Sequence, residues 1–478
     1  MNSARPALFH WDVVGFTMLA VVAIRLVPIA AASGPSVTLL WILAALAFFA
    51  PVSITTVILT RDYPGTGGIY VWSKTAFGDL HGFIAAWTYW TSALVFFPSV
   101  LIFSSSQSAY IVPNNQHLAE NQTYLTCVSI ASVLVLLLLN LGGMRFATYF
   151  HNVSAVTKLI IVTLVVGLAS AGLVSVGPAS DFSPVTWVPK FGGLKDLLFF
   201  SSVVYMLSGA ECASQLGDEV HESHRTIPRA LFNSGLLITA LYIICSLALL
   251  VAVPASELSG LKGFAAAVST SARRVGGDSF GQWTTSTISL LLVVTHLGTV
   301  SVWLAATARL PFVIGLDRYL PEAFGRRHPR YGSPYIALIS LAIATITLVI
   351  LSSLGGAAEQ VYHILISIEI AIYFIPYLYL FAALIALKTR ELSRNDLQQP
   401  LMIWLSCGVA ALGFIVTATS LILALIPGEQ IESPANFYAA VFGSLGFNLA
   451  VGTGLYLWGR RTRRQVVLAA EALQVNQP

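Results

Sequence analysis

The run Tyr205-Met-Leu-Ser-Gly-Ala-Glu-Cys-Ala-Ser-Gln-Leu-Gly-Asp-Glu-Val-His-Glu-Ser-His-Arg-Thr-Ile-Pro-Arg229 decides how the chain is read. Its first half is apolar enough to lie in a membrane, yet it holds the helix-weakening pair Ser208-Gly209 and a carboxylate, Glu211. Its second half turns polar and closes on Thr226-Ile-Pro-Arg229. A hydrophobic segment interrupted near its middle leaves backbone N–H and C=O groups unpaired. Lipid tolerates such groups only where they line a protein cavity, and cavities of that kind bind solutes.

The rest of the chain agrees with a membrane setting. Of 478 residues, 56% are hydrophobic and 10% charged, and the mean hydropathy is +0.79. Soluble globular proteins carry about 25% charged residues, so the charges here are too few to cover a soluble protein of this size. The composition implies an all-α polytopic membrane protein. Cys127, Cys212, Cys245 and Cys407 all lie in apolar runs without metal-ligand spacing, which argues against a disulfide framework or a zinc site. The N-terminal run contains Asp12, Arg25 and Pro28 and reads as a first span, not a cleavable signal.

A span needs about 20 apolar residues. Twelve can be drawn, at 12–33, 37–60, 82–112, 124–141, 152–176, 196–215, 230–252, 281–307, 334–353, 360–387, 401–426 and 437–458. Between the seventh and eighth, the amphipathic stretch Leu261–Val275 is read as a solvated loop in preference to a short surface helix. With the N-terminus inside, only Lys190, Lys195, Lys262, Arg273 and Arg274 of the 25 lysines and arginines fall in outside loops. The cluster Arg460 to Arg464 caps the last span. This asymmetry predicts a multi-pass protein of the cell membrane with both termini cytoplasmic.

Three loops and the sixth span carry a family resemblance. The loop Arg61-Asp-Tyr-Pro-Gly-Thr-Gly-Gly-Ile-Tyr70, with Pro64 and its glycines making a tight turn, lacks the Gly-Lys-Ser/Thr of a phosphate loop. Its Tyr-Pro-x-x-Gly-Gly-x-Tyr form, followed by Phe77-Gly78, Gly82-Phe83 and Trp87, resembles the loop between helices 2 and 3 of amino acid/polyamine/organocation (APC) permeases. Arg309 and Asp317-Arg318-Tyr-Leu-Pro321 with Phe324 resemble the loop after helix 8, with Tyr319 in place of a glycine. Ser-Gly-x-Glu, Asp-Glu and Ile-Pro-Arg in the opening run resemble helix 6 and its following loop.

The resemblance implies two five-helix repeats of inverted topology, with helices 1 and 6 broken at the midplane. It divides the chain into a cytoplasmic N-terminus (1–11), a first repeat (12–195), a second repeat (196–387), two extra helices (401–458) and a cytoplasmic tail (459–478). The extra pair serves packing or homo-oligomer contacts. It also implies a substrate site at Ala23, Ile24, Tyr205, Ser208 and Gly209. The first span departs from the family's Gly-Ser-Gly-Ile-Phe, reading Val21-Val-Ala-Ile-Arg25 before Val27-Pro28, so an arginine stands where the family has an aromatic. Two places are open for its unwinding: beside Arg25, or later in Ala30–Gly34.

Ionisable groups inside spans need a partner or a watery cavity, and are functional by default. Arg25, Lys158, Glu211 and Glu369 are the candidates; His296 and His363 pack readily as neutral rings. Trp87, Tyr89 and Trp90 are read as packing. Arg25 has two open partners, an acidic substrate or Glu369. Lys158 either snorkels to the surface or, as the resemblance implies for proton-coupled members, acts as a coupling group beside helices 1 and 8. There Thr299 and Ser301 would offer hydroxyls. Glu211 and Glu369 are further coupling or gating candidates.

No Ser/His/Asp set, HExxH or carboxylate pair with catalytic logic occurs, so no enzyme, cofactor, metal or nucleic-acid partner is expected. The expected function is secondary active transport of amino acids or related amines, coupled to protons. Exchange is the alternative, and a non-transporting sensor is the alternative of another class. A channel is disfavoured, since no filter-like carbonyl run or charged ring appears.

Overall fold

The computed structural model describes residues 9–64, 67–142, 144–189, 194–213, 220–258, 260–261, 263–308, 321–326, 328–329, 331–393, 400–428 and 431–475. Among the described residues, eleven helices are long and apolar enough to cross a membrane: His10–Ala31, Gly34–Asp62, Asp79–Ser108, Gln122–Leu141, Tyr149–Ser175, Ser223–Ala252, Gly263–Ala305, Tyr335–Ser353, Ala358–Leu392, Pro400–Ala424 and Pro434–Arg461. A shorter apolar run, Leu197–Ala213, stands sixth in order and completes the twelve segments expected.

Burial sorts these spans into a centre and a rim. The most apolar stretch of the third span is 89% buried, that of the twelfth 17%, so the third lies at the core and the twelfth faces lipid. Hydroxyls in the buried third span bond backward along their own helix, as Thr88 does to Ile84 O and Thr91 to Trp87 O. Such bonds satisfy polar side chains where no water reaches them.

Two spans are interrupted. The first is α-helical over His10–Val21, extended at Val22 (φ −68°, ψ 105°), and resumes through a 3-10 turn at Ile24–Leu26 into Val27–Ala31. It opens beside Arg25, not in the later Ala30–Gly34 run. The sixth ends its α-helix, Leu194–Met206, at Leu207, and Gly209 takes φ +114°. Side chains with a Cβ rarely adopt that conformation, which is why glycine stands there.

Three local expectations need correction. Leu261–Val275 is no solvated loop: the chain is helical from Gly263 to Thr307, with a break at Gly277 (φ +79°) before the eighth span. Phe264, Ala267, Val268, Ser271 and Ala272 are buried while Arg273 and Arg274 are exposed, so its amphipathic period is used for packing. After Pro64 the chain makes not only a turn but a short helix, Ile69–Phe77, whose end is held by Arg390 Nη2 on Ala76 O (2.8 Å). The last helix runs from Pro434 to Val475, through most of what was read as a tail. Arg5, Gln215–Glu219, Arg309 and Asp317–Leu320 lie outside the described residues.

Candidate solute-binding site

A helix end leaves its last four carbonyls without intrahelical partners. At the first break each of them accepts from a side chain of another span. Lys158 Nζ donates to Leu19 O (2.9 Å) and Val22 O (2.6 Å). Trp303 Nε1 donates to Ala20 O (3.3 Å). The Tyr242 hydroxyl accepts the Ala23 N–H (2.8 Å), and its one proton is shared between Val21 O (3.0 Å) and Met206 O (2.9 Å). One phenol thus ties the two breaks together. It is held in place by stacking on Trp41, with ring centroids 4.2 Å apart.

At the sixth break the Gly209 N–H donates to Tyr377 Oη (2.7 Å), and that hydroxyl donates in turn to Glu211. Tyr373 Oη (2.9 Å) and Tyr89 Oη (3.0 Å) donate to the same carboxylate. A buried carboxylate is strongly disfavoured unless donors surround it, and here three phenols do so. Tyr89 therefore belongs with Glu211, a correction to its reading as packing. Trp87 does pack, donating to Asn448 O of the twelfth span (2.9 Å).

A cavity of about 40 Å³ lies between the breaks. Ala20, Val21, Ala23 and Ser208 supply its backbone-rich side, and the rings of Phe96, Tyr205, Trp303 and Tyr373 its aromatic walls. Its charged wall is Arg25 with Glu369. Arg25 Nη2 reaches both carboxylate oxygens, at 3.1 and 3.3 Å, and Nη1 donates to Tyr362 Oη (3.2 Å). Ser99 Oγ donates to Glu369 Oε2 (2.7 Å). Both charges are 1% exposed, and in this structure Arg25 is paired with Glu369, one of the two partners open to it.

Of the residues expected at the substrate site, Ala23, Arg25, Tyr205 and Ser208 line this cavity; Ile24 and Gly209 are not on its wall. Glu211 stands behind Tyr373, and Glu369 lies on the wall itself. Lys158 does not snorkel: it turns inward to the first span. Neither hydroxyl expected beside it bonds its ammonium. Thr299 donates to Thr295 O one turn back, and Ser301 is bonded to Asn140 Nδ2 (3.0 Å) and His151 Nε2 (3.1 Å). His296 bonds Leu292 O within its own span. His363 faces a second cavity of about 510 Å³, which lies farther along the first, sixth and tenth spans at Ile29, Ser202 and Ile370.

Tyr242, Trp303, Ser99 and three tyrosines of the tenth span were not singled out from sequence. For the tenth span a signal existed. Tyr362, Glu369, Tyr373 and Tyr377 stand at i, i+7, i+11 and i+15, which puts one carboxylate and three phenols on a single helix face.

Two interrupted helices meeting at a buried polar cavity define a polytopic membrane protein of the kind that handles small solutes. The chain belongs to the amino acid permease family, whose model matches residues 8–447. It is similar to an uncharacterized transporter of Legionella pneumophila, 30% identical over 439 residues, covering 90% of this chain and 92% of the relative. It is similar also to a protein of Lactococcus lactis named as a probable agmatine/putrescine antiporter, 25% identical over 83% of each chain. The glutamate/gamma-aminobutyrate antiporter of Lactococcus lactis is 22% identical over 90% of this chain and 86% of its own. The family and these relatives are named as permeases, transporters or antiporters.

Proposed function

We propose that the chain is a secondary active transporter of amino acids or related amines, working by alternating access and coupled to protons. The observation that carries this reading is the joining of both broken spans by Tyr242 at one cavity. Movement of either half-helix must then be felt at the solute site. The first and second halves of the chain (12–195 and 196–387) would act as two inverted repeats, each opening on a broken span. The 510 Å³ cavity farther along the same spans is the approach from one face.

Substrate would lie against Ala23, Arg25, Tyr205 and Ser208, with Ile24 and Gly209 shaping the breaks. Lys158 and Glu211 are the coupling groups: each is buried, and each holds one of the two breaks in shape. Lysine and arginine placement supports cytoplasmic termini in the cell membrane. A cysteine introduced at Ser183 should then label from outside cells and one at His221 should not; the reverse pattern would invert the topology. Exchange is the second reading, favoured by relatives named as antiporters.

The test is solute counterflow. Purified protein is reconstituted into liposomes preloaded with unlabelled amino acids and amines, and uptake of the labelled mixture is followed. Uptake above protein-free liposomes is expected, enhanced by an inward proton gradient. Ligand-induced thermal stabilisation without flux would make the protein a sensor instead.

A further inference from the structure

The charge pair on the cavity wall is arranged to be opened by a molecule that carries both charges itself. Its two members stand on different spans, Arg25 on the first and Glu369 on the tenth. Each has polar support independent of the other. Glu369 keeps the Ser99 hydroxyl at 2.7 Å. Arg25 keeps the Tyr362 hydroxyl at 3.2 Å and the rings of Phe96 and Tyr362, whose centroids lie 5.7 and 5.9 Å from Cζ. A guanidinium has five N–H donors. Those on Nη2 go to Glu369 and one on Nη1 to Tyr362, so Nε–H and a second Nη1–H meet no protein acceptor among the described residues. The spare hydrogen-bonding capacity of the pair is thus on the arginine side and suits a carboxylate.

The cavity volume points the same way. About 40 Å³ accommodates a water molecule or a few, not an amino acid. A wall must move, and the pair is the wall element with charges to exchange. We propose that substrate enters by parting Arg25 from Glu369, its carboxylate taking Arg25 and its ammonium taking Glu369, so that the site selects zwitterionic amino acids over their decarboxylated amines. A zwitterion replaces the partner that each charge gives up. An amine without a carboxylate satisfies Glu369 and strands Arg25 as a buried cation, an arrangement strongly disfavoured. This rests on the cavity being the transporter's substrate site, and it narrows the substrate class within that reading.

The experiment compares each amino acid with its decarboxylated amine and with its methyl ester, such as arginine, agmatine and arginine methyl ester, or ornithine, putrescine and ornithine methyl ester. Affinity is read by thermal-shift titration of the full-length protein in detergent. At least one amino acid should bind, with its amine and its ester weaker by about 100-fold or more; a smaller ratio overturns the inference. The double variant Arg25→Gln/Glu369→Gln removes both charges and leaves a polar, hydrogen-bonding side chain at each position. It should bring the ratio to tenfold or less, and a larger ratio in that variant overturns it equally. The ester comparison uses the native protein and does not depend on the variant folding. Binding of amino acids and amines alike defeats this inference alone, whereas binding of neither defeats the transporter reading with it.

Discussion

When protonated, Lys158 places a cation at the C-terminal end of the first half-helix, within reach of the Leu19 and Val22 carbonyls. Positive charge is favoured at that end of a helix, and hydrogen bonds from an ammonium are stronger than those from a neutral amine. Loss of the proton would loosen the carbonyls on which the first break depends. Lys158→Ala is therefore expected to abolish accumulation driven by a pH gradient while retaining part of the exchange flux, and native uptake should need no sodium. Full accumulation by the alanine variant, or uptake that requires sodium, would exclude this lysine as the coupling group. The lysine itself was legible as a lone cation in the apolar run Val153–Ile161. Its acceptors were not, because they are backbone carbonyls of another span, which no side-chain pattern announces. The eighth span does contribute beside it, but through Trp303 on Ala20 O instead of the hydroxyls of Thr299 and Ser301.

The two broken spans differ in how far their sequences disclose them. Ser208-Gly209 marks the sixth break directly, since the φ of +114° at Gly209 suits glycine. The first break falls at Val22–Ala23, where no glycine or proline stands; Pro28 comes later, in the first turn of the resumed helix. Its position is fixed by Lys158, Trp303 and Tyr242, which are distant in sequence and converge only in the fold. Tyr242→Phe keeps the stacking on Trp41 but leaves the Ala23 N–H without its acceptor and the Val21 and Met206 carbonyls without their donor. Unsatisfied buried groups cost about 1–3 kcal/mol each, so the variant should melt several degrees below the native protein and transport more slowly. Unchanged melting and transport would mean that the breaks hold without this hydroxyl. Over 263–276 the sequence shows an amphipathic period, but the reading it favours is a solvated loop and not the helix observed. The burial of that helix was not legible, since periodicity does not tell what a helix face packs against.

At the scale of the whole molecule, composition and span length sufficed for an all-α membrane protein, because lipid demands long apolar helices whatever the chain's function. The family followed from short motifs in loops and at the sixth break. The site followed less completely. Its charged members stood out against apolar spans, while the phenols that organise them looked like ordinary membrane aromatics. The central claim is that solute passes through the cavity between the two breaks. At Gly209 any Cβ is strained by the backbone and would meet Val21 Cγ2 at 3.3 Å, so a leucine there fills the junction of the breaks. The most direct measurement is counterflow of a labelled amino-acid mixture into liposomes carrying equal amounts of native or Gly209→Leu protein, each monodisperse before reconstitution. Native protein should concentrate label and the leucine variant should fall to the level of protein-free liposomes; equal rates in the two would contradict the account.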